Sequence, residues 1–222
     1  MTTEASRSLR AVTVMSAAAV GMYFVRSVVF SSNEYWYLNW NLVLAWVPLL
    51  FAWLLVTYTQ KNPWVSWKGV GLTMLWIGFL PNSFYIATDL IHLQSSPDKT
   101  LLFDVVLLLL FTLSGFVLGY LSVFLVHTLL LKRMGKTAAA QVVAVIFGLC
   151  SFAIYLGRFL RWNTWDVITN PAGLIVDISD RIINPVAHEQ TFWVTILLFT
   201  LLATIYFVVW QFIDAVRSTR TR

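Results

Sequence analysis

Six apolar runs separated by short polar punctuation limit this chain more than any other feature. They fall at roughly 10–30, 40–59, 69–91, 101–131, 138–158 and 191–214. One crossing of a bilayer core takes about 20 apolar residues in a helix, and each run is of that order or longer. A water-soluble fold of 222 residues could not hide this much apolar surface. The chain is 59% hydrophobic and only 11% charged, against roughly 25% charged in a soluble domain. The 11 tryptophans suit the membrane–water interface, where an indole has one apolar and one wet side. The expected fold is all-α: a polytopic membrane helix bundle of about six transmembrane helices in a single membrane domain, 1–222.

The basic residues set an expected orientation. With the N-terminus inside, the cytoplasmic set is Arg7, Arg10, Lys61, Lys68, Lys132, Arg133, Lys136, Arg217, Arg220 and Arg222, which is 10 of the 15. The outer set is Arg26, Lys99, Arg158, Arg161 and Arg181. Short cytoplasmic loops carry the Lys/Arg excess, so both termini are expected in the cytoplasm and the chain in the cell membrane. Acids add little to orientation but locate chemistry. Glu34, Asp89, Asp98, Asp104, Asp166, Asp177, Asp180 and Glu189 fall outside, and only Glu4 and Asp214 inside. A net charge of +5 is explained by this topology, and no RNP-type or helix-turn-helix signal points to nucleic acid. Arg7 and Arg10 precede the apolar stretch Ala11–Val25, which is long for a signal peptide. Its small residues Ser16–Ala19 lie inside it, so it reads as a retained first helix. Cys150, the only cysteine, excludes an intrachain disulfide and a CxxC metal site.

The long outer segment 159–190 holds a turn signal at Asn170-Pro171-Ala172-Gly173. Leu174, Ile175, Ile178, Ile182 and Ile183 then alternate with Asp177, Asp180 and Arg181 at helical spacing. This predicts an amphipathic helix, read either as interfacial on the outer leaflet or as a lid over an outer-facing cavity.

Several spans break the rules of a simple membrane helix. Leu80-Pro81-Asn82-Ser83 lies inside the third. Proline frees backbone groups there, and at membrane depth these need a protein or water partner, which Asn82 or Ser83 could supply. Tyr85, Thr88, Asp89 and His92 follow at α-helical spacing, expected on one face. They read either as a polar helix end or as the wall of a site, since polar groups at membrane depth tend to be functional. Asn39 and Asn41 flank Trp40 at the outer end of the second span, with Pro48 near its middle. Asp104 opens the fourth span, a short loop away from Asp89 and His92. These three could act as an acid/base set or bind a divalent metal. Gly115 and Gly119 form a GxxxG pattern expected to pack closely against another helix. At the end of the fifth span, Arg158 and Arg161 at i, i+3 precede Trp162-Asn163-Thr164-Trp165-Asp166. The arginines read as snorkelling to lipid phosphate, as pairing with Asp89, Asp104 or Asp166, or as holding an anionic substrate.

The chain resembles a bacterial membrane family, domain of unknown function 1361, over roughly residues 35–215. The resemblance rests on Leu38-Asn39-Trp40-Asn41-Leu42 through Trp46-Val47-Pro48, and on the run from Phe79-Leu80-Pro81-Asn82-Ser83 to Asp89-Leu90-Ile91-His92-Leu93. Asp104 and the run from Gly157-Arg158-Phe159-Leu160-Arg161 to Asp166 complete it. Such a family, with no established activity, implies a multi-pass membrane protein and little more.

The candidate catalytic residues are therefore Asp89, His92 and Asp104. The candidate substrate-binding residues are Asn82, Tyr85, Arg158, Arg161, Asn163 and Asp166. Three functions fit: an outer-leaflet enzyme on an anionic lipid head group or lipid-linked substrate, a small transporter or permease subunit, and a non-catalytic membrane assembly protein. The expected partners are the lipid bilayer and an anionic lipid or lipid-linked substrate, with no nucleic acid. The sequence assigns no cofactor, metal or oligomeric state.

Overall fold

A computed structural model describes the backbone of residues 3–220 and the side chains of residues 6–216. The side chains of Glu4, Arg217, Arg220 and Arg222, used above for orientation, lie outside the described residues. Eight α-helices are present among those described: α1 (Thr3–Phe30), α2 (Trp36–Tyr58), α3 (Trp67–Tyr85), α4 (Leu101–Met134), α5 (Lys136–Phe159), α6 (Asp166–Thr169), α7 (Pro171–Ile183) and α8 (Glu189–Arg220). A 3-10 helix, Ile86–Ser95, continues directly from α3. No strand occurs among the described residues. Six stretches are long and apolar enough to cross a membrane: Ser6–Phe30, Trp36–Tyr58, Trp67–Ser95, Leu101–Met134, Lys136–Phe159 and Glu189–Val216. The chain is an integral, multi-pass membrane protein of the all-α class. It divides into two compact units, Met1–Leu129 and Leu130–Arg222.

In the first unit, α2 turns Leu38, Leu42, Ala45, Leu49 and Ala52 inward at three- and four-residue spacing. The small Ala45 and Ala52 let the neighbouring backbone come close, which membrane helices rely on because lipid gives no hydrophobic drive for helix to meet helix. Both proline-containing helices continue through their prolines. The Ser83 hydroxyl donates to the Ala45 carbonyl at 2.9 Å, in the turn of α2 that the Pro48 ring crowds. Asn82 Nδ2 donates to the Phe79 carbonyl at 3.0 Å, in the turn before Pro81. Both bonds lie in the proline-bearing turns but go to carbonyls near those the prolines leave without a helical donor, which are those of Leu44 and Ile77. Gly115 and Gly119 of α4 lie against Ser83 and Phe84, as the GxxxG spacing predicts. A Cβ at Gly115 would stand 2.3 Å from the Ser83 carbonyl oxygen.

In the second unit, the face of α5 bearing Val143, Ile146, Phe147, Cys150 and Ile154 is buried. Phe147 meets Tyr206 of α8 with ring centroids 5.3 Å apart. Between these helices, Asn170 caps α7 by accepting from the Gly173 amide at 3.2 Å. Pro171 takes the first helical position, where its missing N–H costs nothing. The amphipathic helix expected at this place is α7.

Candidate functional site

The polar residues of the first unit gather where α1 ends, α2 begins and the 3-10 helix leads into α4. Arg26 is their centre. Its Nε donates to Asp104 Oδ1 at 2.6 Å and its Nη2 to Asp104 Oδ2 at 3.3 Å. This is the two-pronged geometry that suits a guanidinium and a carboxylate. Both residues are buried, Arg26 being 2% exposed and Asp104 0%. Thr100 donates to Asp104 Oδ2 at 3.0 Å. Glu34, half out in solvent, takes a further bond from Arg26 Nη2 at 3.3 Å. Ser32 Oγ lies 3.4 Å from Arg26 Nη1. The guanidinium carbon stands 4.4 Å from the centroid of the buried Tyr35 ring, a cation–π contact worth most when desolvated. Tyr35 shares a hydrogen bond of 2.9 Å with Ser96. Burial raises the Tyr35 phenol above its ordinary pKa, while the bond to Ser96 works the other way.

Asp89, 1% exposed, accepts from Asn41 Nδ2 at 3.0 Å. The His92 ring lies against Tyr37, centroids 5.5 Å apart. The expected common face of Tyr85, Thr88, Asp89 and His92 needs correction. From Ile86 onward the chain is a 3-10 helix, in which residues three apart eclipse at about three residues per turn. Asp89 and His92 therefore share a side with Ile86, while Tyr85 and Thr88 fall on another. Thr88 turns back and donates to the Tyr85 carbonyl at 2.7 Å. Among the described residues, no group of three His, Cys, Asp or Glu side chains is placed to hold a metal ion.

A second correction concerns the arginines after α5. The helix ends at Phe159, and Arg161 lies beyond it at φ +61°, the left-handed region that turns the chain. The Trp162 amide then reaches back to the Leu156 carbonyl at 3.2 Å. Arg158 closes the last turn of α5, so Arg158 and Arg161 do not share a helix face. Arg161 is exposed. Asn163 and Asp166 serve each other: Asp166 Oδ2 accepts from the Asn163 amide at 2.6 Å and from its Nδ2 at 3.3 Å. The Asn163 backbone bond first, then the Thr169 hydroxyl at 3.1 Å and the Asn163 side chain, hold the Asp166 carboxyl below its ordinary range. Trp162 donates to Asp177 Oδ2 at 2.8 Å, tying the end of α5 to α7.

Sequence reasoning set Asp104 near Asp89 and His92 as a candidate catalytic residue and did not give it Arg26 as a partner, which the structure does. Arg26 carries its own signal: an ionisable side chain inside an apolar run seldom stays without a role. Tyr35, Ser96 and Thr100 carry none, because their part depends on the loops that bring them to Arg26 and Asp104.

A chain with six membrane-crossing helices and a buried, two-pronged Arg–Asp pair tying the first to the fourth is a polytopic membrane protein with an internal polar cluster. It belongs to the family described as Protein of unknown function (DUF1361), whose model matches residues 40–206. No curated protein and no solved structure matches it.

Proposed function

We propose that this is a non-catalytic membrane assembly protein of the cell membrane, with both termini cytoplasmic and its polar cluster fixing helix order near the outer surface. The observation that carries this reading is the occupancy of Asp104. Both its oxygens are taken, by Arg26 twice and by Thr100, and the residue is fully buried. A buried carboxylate with each oxygen already bound to a guanidinium or a hydroxyl is poorly placed to meet a substrate, which general acid or base work requires. Asp89 is likewise buried and bonded to Asn41. The continuity of α2 and α3 through Pro48 and Pro81 counts against the broken helices that a transporter site would use.

A second reading, an outer-leaflet enzyme on an anionic lipid head group or lipid-linked substrate, is favoured by Arg161. Its guanidinium is exposed and makes no ion pair among the described residues. The two readings separate on Asp89→Asn, whose amide oxygen can still accept from Asn41. In cells lacking the native gene, a folded and inserted Asp89→Asn protein is expected to restore the wild-type phenotype and leave the lipid profile unchanged. Loss of complementation with a shifted lipid profile, despite normal insertion, would overturn the assembly reading.

A further inference from the structure

The second unit holds a group of buried polar side chains with unmet hydrogen-bonding groups. Thr191 is 2% exposed and Arg181 8%. Thr191 Oγ1, Thr195 Oγ1 and Arg181 Nε are buried atoms without a hydrogen-bond partner. Threonine in a membrane helix ordinarily donates to the carbonyl one turn back, as Thr200 does to Ile196 at 2.8 Å. Thr191 and Thr195 do not, although they are four residues apart on one face of α8. A buried donor left unmet is costly, so three in one region point to a ligand.

The chain brings these groups to one place. The Phe147–Tyr206 contact sets the register of α5 against α8. As successive spans, the two run antiparallel. Eleven residues further along α5 and eleven back along α8, at a rise of about 1.5 Å per residue, Arg158 and Thr195 are level. Trp162 bonds to Asp177, and Arg181 donates to the Asp177 carbonyl at 2.7 Å. His188 Nε2 lies 2.6 Å from Asp180 Oδ2, and the Thr191 amide donates to the His188 carbonyl at 2.9 Å. The end of α7 is thereby clamped to the start of α8. Asp177 is the one carboxylate beside Arg181 among the described ion pairs, 3.8 Å from Nη1, and Trp162 already occupies its other oxygen.

We propose that the junction of α5, α7 and α8 binds a phosphate group, with Arg181 Nε and the hydroxyls of Thr191 and Thr195 as donors and Arg158 as a second cation. Guanidinium and hydroxyl donors with two positive charges are the chemistry of phosphate recognition. Two sources present that chemistry here, a phospholipid head group and free phosphate. The outward face of α7 bears Ile175, Val176, Ile182 and Ile183, all more than half exposed, so a lipid could lie with its chains against α7 and its phosphate at the junction.

The test uses the full-length protein purified in detergent and monitors thermal unfolding and native mass spectra. The additions are phosphatidylglycerol, sodium phosphate and diacylglycerol, compared with Arg181→Gln and the near-isosteric Thr191→Val/Thr195→Val. Phosphatidylglycerol or phosphate is expected to raise the wild-type melting temperature, and whichever does so names the source. Each variant is expected to weaken that ligand about tenfold, in line with one lost charge-assisted hydrogen bond. Equal protection by diacylglycerol, which has no phosphate, would overturn the proposal. So would no shift with either phosphate source, or undiminished binding by variants that remain helical and monodisperse.

Discussion

A guanidinium and a carboxylate moved out of water each lose several kcal/mol of solvation, and removing one partner leaves the other charge stranded. Arg26 and Asp104 stand in that position, with Glu34 too exposed to replace Asp104 as a close partner. Asp104→Asn is therefore expected to destabilise the protein by about 3 kcal/mol, read as an earlier midpoint in denaturant unfolding in detergent. Arg26→Leu/Asp104→Leu, which removes both charges, is expected to lose less than Asp104→Asn alone. A double variant at least as unstable as the single one would mean that the pair adds net stability beyond the cost of its own burial. At this scale the sequence shows that Asp104 sits at the start of an apolar helix. It does not show which of the other outer-set charges meets it, because that depends on how α1 lies against α4. The loop distance pointed to Asp89 and His92 instead.

Helices and their packing follow a different balance. The GxxxG pattern in α4 was readable because small residues four apart make a groove whatever the partner is. The 3-10 helix at Ile86–Ser95 was not. A choice between 3.6 and 3.0 residues per turn is small in energy and is made by local bonds, such as Thr88 to the Tyr85 carbonyl and Ser95 to the His92 carbonyl. The expected α-helical face of Tyr85, Thr88, Asp89 and His92 therefore gives way to a 3-10 one. Gly115 and Gly78 give the packing test. A methyl on Gly115 would overlap the Ser83 backbone carbonyl, which no rotamer change can relieve, whereas one on Gly78 meets nothing within 4 Å. Gly115→Ala is expected to cost about 1–3 kcal/mol through overpacking. Gly78→Ala is expected to be neutral or to gain about 0.4–1 kcal/mol by restricting the unfolded chain. Thermal unfolding of the two variants side by side checks this, and equal midpoints would contradict the close α3–α4 approach.

For the whole molecule, six spans were legible because hydropathy adds along a run and does not depend on tertiary contacts. The sides on which the ends lie are written only in the Lys/Arg distribution, a statistical bias acting at insertion. Lys61 and Lys68 flank the α2–α3 connection, and Asp98 lies between the 3-10 helix and α4. With the cytoplasmic orientation of the termini, Asn62 faces the cytoplasm and Asp98 the outside. Cys150 is 1% exposed, so the background for thiol labelling is low. In a Cys150→Ala background, Asp98→Cys is expected to react with a membrane-impermeant maleimide in intact cells. Asn62→Cys is expected to react only after permeabilisation. The reverse pattern would invert the orientation and move the polar cluster around Arg26 to the cytoplasmic face. Labelling of both positions in intact cells would mean that Trp67–Ser95 does not cross, because two accessible ends on one side require the segment between them to return.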